Sequence, residues 1–164
     1  MFQGHDSDAA AISAAQQLVH EAAARGDLAT VRQAAAAPPG VLTARHTQWP
    51  GWCPLHVAAL HGHAAVVACL LEAAPEAALV RDVSGRTPLH VAVECNHQEC
   101  ARRLVAAVPA AACIQDCYGR TPLAVAARLG HEAAVRCLLE LAPQAAALSS
   151  RLGRASPLQV SRQA

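Results

Sequence analysis

Short apolar runs of helical length return along this chain in fixed register, and polar or helix-breaking residues part them at the same places each time. Leu55, Val57 and Ala58 are followed by Leu70 and Leu71; Leu89, Val91 and Ala92 by Leu104 and Val105; Leu123, Val125 and Ala126 by Leu138 and Leu139. This spacing predicts pairs of helices that share one core. In each pair the first helix opens on a Pro-Leu step at 54, 88 or 122, a place where the missing proline N–H costs nothing and its fixed φ helps. It closes on Gly62, Asn96 or Gly130, the residue types that accept a left-handed stop. The second helices are expected over 64–74, 98–107 and 132–141. Upstream, a helical pattern over 11–24, a stop at Gly26, a capping Asp27 and a helix over 28–36 predict one further pair.

The Pro-Leu steps lie 34 residues apart, and their surroundings recur with them. Asp82-Val83-Ser84-Gly85-Arg86-Thr87-Pro88-Leu89-His90 is matched by Asp116-Cys117-Tyr118-Gly119-Arg120-Thr121-Pro122-Leu123-Ala124, and Trp49-Pro50-Gly51-Trp52-Cys53-Pro54-Leu55-His56 precedes both. Weaker copies begin at Val19-His20-Glu21, at an offset of 36, and at Ser156-Pro157-Leu158. A constant period of this size marks a stacked array in which each unit touches only its neighbours.

These motifs resemble the ankyrin repeat, whose hallmark is T-P-L-H-x-A within a β-turn followed by two helices. The resemblance implies an all-α ankyrin-repeat solenoid of stacked helix-turn-helix pairs. The expected divisions are a flexible N-terminus over 1–10, a capping repeat and linker over 11–47, repeats over 48–81, 82–115 and 116–149, and a C-terminal half repeat over 150–164. The period is one residue longer than the family's, and the extra residue is expected in the links near Pro75, Pro109 and Pro143. Thr87 and Thr121 are expected as N-caps, with Cys53 a weaker one. The histidine of the motif ties a turn to its neighbour, at His56 and His90, while His63, His97 and His131 start second helices. Ala124 departs from that pattern, so the C-terminal end is expected to be looser.

Composition narrows the possibilities. Hydrophobic residues make up 54% of the chain but aromatics only 2%, so the core must be built from Ala, Leu and Val. All 13 basic residues are arginine, which excludes a Schiff-base or phosphate-loop lysine. A net charge of +1 argues against nucleic acid as partner. The start carries Asp6 and Asp8 where a secretion signal needs basic residues, and Glu72, Pro75, Pro109, Glu140 and Pro143 break the apolar runs short of membrane-spanning length. A cytoplasmic or nuclear location is therefore expected. The seven cysteines read as reduced thiols. Repeat-equivalent His and Cys residues are spread along a line, whereas a metal needs convergence, so neither metal nor cofactor is expected. No nucleophile motif is present, and no enzyme activity is expected.

What varies between repeats is left for function. The resemblance places the residues flanking the turn glycine, and the two before the helix-ending position, on a concave binding surface. The expected partner-binding set is Trp49, Trp52, Leu60, His61, Arg86, Glu94, Tyr118, Arg120, Arg128 and Arg154. Trp, Tyr and Arg are the residues that dominate binding hot spots. Arg86, Arg120 and Arg154 recur at the repeat period, forming a cationic ladder suited to an acidic protein or extended peptide bound by a monomer. Trp49 and Trp52 have a second reading, that they fold back to seal the cap on the first repeat. Two alternatives to a self-contained binding module remain: an ankyrin segment of a larger protein whose activity lies elsewhere, and a metal or redox role for the cysteines.

Overall fold

The structure, a computed structural model, describes residues 5–35, 40–43, 45 and 51–146. Trp49, Arg154 and the half repeat of 150–164 lie outside the described residues. Eight α-helices run along the described chain: α1 His5–Arg25, α2 Leu28–Ala35, α3 Pro54–His61, α4 Ala64–Ala73, α5 Pro88–Glu94, α6 Gln98–Ala107, α7 Pro122–Leu129 and α8 Glu132–Leu141. α1 begins at His5 rather than at residue 11, passing through the stretch assigned to a flexible end. The run Ala9 to Ala11 offers the strongest helix-forming residue type there.

Successive helices pack as pairs, and the pairs stack. α1, α3, α5 and α7 form one layer, each against the next, while α2, α4, α6 and α8 form the other. The fold is an all-α array of stacked helix pairs. Leu55 and Leu89 of the first layer and Leu70, Leu104 and Leu138 of the second are fully buried at repeat-equivalent places, each contributing about 2 kcal/mol by burial. No phenylalanine, tyrosine or tryptophan joins the buried apolar set among the described residues. Alanines at 58, 59, 92 and 126 fill the first-helix contacts instead, and their small size lets the layers approach closely.

After the second helices the chain forms 3-10 turns, Pro75–Leu79 and Pro109–Cys113. Proline starts each one, and Ala77, Ala78, Ala111 and Ala112 are buried. The links are packed parts of the core. Asp27 caps α2 as expected, its Oδ1 accepting from the N–H groups of Ala29 and Thr30 at 3.1 and 3.2 Å. The Thr30 hydroxyl, donating to Oδ2 at 2.6 Å, and then the Thr30 backbone N–H hold the Asp27 carboxyl below the ordinary range.

The first helices of the repeats end in left-handed residues, at Gly62 with φ 75, Asn96 with φ 58 and Gly130 with φ 72. The three sites differ in what lies beside them. A Cβ built on Gly62 would stand 2.6 Å from Nδ1 of His97, whereas one on Gly130 would meet nothing within 4 Å among the described residues. At Asn96 a Cβ is present, and the histidine of the following repeat makes a different bond. His63 and His97 donate from Nε2 to the carbonyls of Ala24 and Leu60, but His131 donates from Nδ1 to Val93, one residue out of step.

Replacement of Gly62 by alanine therefore adds steric conflict to backbone strain, while at Gly130 only the strain applies. In chemical denaturation Gly62→Ala is expected to lose about 2 kcal/mol or more and Gly130→Ala about 1 kcal/mol. Equal losses would show that the His97 contact carries no cost.

Candidate functional site

One histidine in each of the first two repeats fastens a helix start to the following turn. At the start of α5 the backbone N–H of Thr87 donates to Nδ1 of His90 at 3.2 Å, and the Thr87 hydroxyl lies 2.9 Å from the same nitrogen. Nδ1 must therefore be unprotonated, which leaves the proton on Nε2; that N–H donates at 3.0 Å to the carbonyl of Arg120 in the following turn. His56 repeats the arrangement, with the Cys53 N–H on Nδ1 at 3.2 Å and Nε2 donating to the Arg86 carbonyl at 3.1 Å. In the third repeat Ala124 has no ring to offer. There Thr121 acts as an ordinary N-cap, accepting the Ala124 N–H at 3.3 Å. His20 holds the equivalent place in the cap, its Nε2 lying 3.2 Å from the Trp52 carbonyl oxygen. That role was missed, although the alignment of Val19-His20-Glu21 with Leu55-His56-Val57 carried the signal.

The buried Cys53–His56 pair looks superficially like a nucleophile and its base, with sulfur 3.1 Å from Nδ1. Burial pushes the Cys53 thiol up to about 11 and the His56 imidazole down to about 4. A neutral thiol facing a neutral ring is a helix cap, since the thiolate is the reactive form. All seven cysteines are free, and among the described residues no group of three metal-ligating side chains gathers.

The turn arginines differ from the expected ladder of available cations. Asp82 accepts the N–H groups of Ser84 and Arg86 on Oδ1, both at 2.8 Å, and the Arg86 guanidinium grips Oδ2 through Nε at 2.9 Å and Nη2 at 2.8 Å. Arg86 also donates from Nη1 to Glu94 at 2.9 Å. Asp116 and Arg120 build the same clamp, at 2.8 and 2.7 Å. Burial opposes the charge of Arg86, and the Asp82 and Glu94 contacts outweigh it, raising its pKa. Burial likewise opposes ionisation of Asp116, and hydrogen bonds from Arg120 outweigh it to leave the carboxyl lowered. Both arginines thus belong first to their own turns. The Asp-x-x-x-Arg spacing was the legible sign of it.

The remaining expected residues fall into separate groups. Trp52 is half-buried against the core, its ring centroid 5.7 Å from that of His56, with the Arg86 guanidinium 5.9 Å from its centre. Tyr118 is 74% exposed and has the Arg120 guanidinium 4.7 Å from its centre. Leu60 is half-buried, while His61 is exposed with its ring stacked on His63 at 6.0 Å. Glu94 is half-buried and Arg128 exposed, at the equivalent places on α5 and α7. The structure brings Trp52, Arg86 and Glu94 together, and separately Tyr118 and Arg120.

The stacked pairs, the turn geometry and the histidine ties define a repeat scaffold, and comparison with known families agrees. The family described as Ankyrin repeats (3 copies) matches residues 19–111, and that described as Ankyrin repeat matches residues 118–147. The chain belongs to the ankyrin repeat family. Ankyrin repeat domains are in general protein-interaction modules and typically non-catalytic. No curated protein matches the chain. No helix among the described residues is long and apolar enough to cross a membrane.

Two outcomes follow from the buried ties. His56 is neutral in the fold, with its pKa moved from 6.5 to about 4, and burial also lowers that of His90. The unfolded chain binds more protons between those values, so stability is fully present above pH 6.5 and falls as the pH drops toward 4. Urea midpoints measured across that window should decline, and His56→Gln should flatten the decline. Removing the guanidinium in Arg120→Ala leaves the buried Asp116 carboxylate without its ion pair, and should cost about 1–2 kcal/mol in denaturant melts; an unchanged midpoint would make the clamp ornamental.

Proposed function

We propose that this chain binds a partner protein or extended peptide along the turn tips and the C-terminal ends of α3, α5 and α7, without chemistry of its own. The observation that carries the reading is the contrast between what recurs and what varies. Buried Leu, Ala, His, Asp and Thr recur between units, whereas equivalent turn positions read Val83 and Cys117 or Ser84 and Tyr118, and equivalent helix-end positions read Leu60, Glu94 and Arg128 or His61, Cys95 and Leu129. Exposed residues that a scaffold does not need are the ones free to recognise another molecule.

The reading includes a capping pair over 11–47, repeats over 48–81, 82–115 and 116–149, and a closing half repeat over 150–164, working as a monomer in the cytoplasm or nucleus. Trp49, Trp52, Leu60, Glu94, Arg86, Arg120 and Arg154 remain part of the proposed surface. The engagement of Trp52, Arg86 and Arg120 in the fold makes them pre-ordered contacts, which lose less entropy on binding than free side chains.

Exposed residues test this more cleanly than the clamped ones. Peptides selected by display on the intact protein should lose about tenfold or more in affinity with a Tyr118→Ala, His61→Ala double variant. An Arg102→Ala, Arg136→Ala variant on the second-helix layer should bind as the parent does, and both should melt with it. Loss confined to the second variant would move the surface to the opposite face.

A further inference from the structure

Resting on that binding face, we propose that the third repeat takes a carboxylate side chain of the partner between Arg120, Arg128 and the ring of Tyr118. The second repeat displays the same chemistry within the chain. There Arg86 spends Nε and Nη2 on Asp82 and turns Nη1 to Glu94 at 2.9 Å. Position 128 is the counterpart of 94 one period later, and it holds arginine instead of glutamate.

Arg120 repeats the inner half of the arrangement. Its Nε and Nη2 hold Asp116, and its Nη1 has no hydrogen-bond acceptor among the described residues. Arg128 stands exposed, with no carboxylate in salt-bridge reach among the described residues. Asp116 cannot serve an outside cation or satisfy Arg128, because its side chain is 0% exposed and it also accepts the N–H groups of Tyr118 and Arg120. Glu94 acts on Arg120 through space, but its Oε2 is held by Arg86 and it makes no ion pair with Arg120 among the described residues. The set Asp82, Arg86, Glu94 is net negative, while Asp116, Arg120, Arg128 is net positive.

The carboxylate that the second repeat supplies from its own helix is thus missing from the third, where two guanidinia await it. The Tyr118 ring stands 4.7 Å from the Arg120 guanidinium, a cation–π contact that helps hold the fork for a planar, hydrogen-bonded acceptor. A bound peptide gains a direction from this, with its acidic residue at the third repeat and not at the second, where Glu94 would repel it.

Arg128 is the residue to change, since it makes no ion pair among the described residues and its loss should leave the melting midpoint in place. Short random peptides are displayed and panned against the intact protein and against Arg128→Glu. The tightest parent-selected peptide and its amide analogue, Glu→Gln or Asp→Asn, are then compared by calorimetry. The expected result is an acidic residue at a fixed place in the selected peptides, at least about tenfold weaker binding of the amide analogue to the parent, and little discrimination by Arg128→Glu. Selected peptides without acid, or an acid preference that survives Arg128→Glu, would overturn the carboxylate site while leaving the binding face intact. Failure to enrich any peptide, or peptides indifferent to Tyr118→Ala with His61→Ala, would remove the face itself.

Discussion

A single imidazole in each of the first two repeats links three things that are usually separate: the start of a helix, the protonation state of a ring and the junction with the next unit. The N–H at the helix start occupies Nδ1 of His56 or His90, which sets the proton on Nε2, which then reaches the carbonyl closing the following turn. No link can change alone. A second row of histidines runs the other way, from His63, His97 and His131 back to the preceding first helix. Neighbours are consequently held from both ends of the helix pair, a polar seam along a core of small side chains. Because both ring nitrogens are satisfied, burial of the ring is tolerated where an unpaired polar group would cost several kcal/mol.

The seam explains why so few large side chains suffice. Leu55, Leu89, Leu70, Leu104 and Leu138 anchor each layer, and alanine fills the gaps. Tight spacing of this kind demands that nothing protrude between units. Gly62 stands against the ring of His97, and Cys117 donates its N–H to the Ser84 carbonyl at 2.9 Å, joining turn to turn. Stability in such an array is a sum over units and junctions, and the junction beyond the third unit lacks its forward histidine at Ala124.

Periodicity makes the scaffold readable in the sequence itself. Helix starts at Pro54, Pro88 and Pro122, the stops at Gly62, Asn96 and Gly130, and most of the buried leucines followed from a pattern repeated three times, but Leu139, which the same pattern places in the core, is 43% exposed. The roles of Arg86 and Arg120 did not, because a residue type that dominates binding surfaces also makes an excellent partner for a buried aspartate. Recurrence at the repeat period was itself the clue: what returns in every turn serves the turn. Arg128, which does not recur, carries more information about recognition. The bond of His131 to Val93, one residue out of step with those of His63 and His97, had no sign in the sequence pattern.

The scarcity of aromatic side chains has a spectroscopic side. With two tryptophans and one tyrosine in the chain, and Trp52 set between the His56 ring and the Arg86 guanidinium, indole emission from Trp52 reports the seam between the first pair and its neighbour. The phenol of Tyr118 reports the far turn. Fluorescence followed during unfolding is therefore a local gauge, and helical dichroism a global one. A lag between them would time the order in which the units come apart.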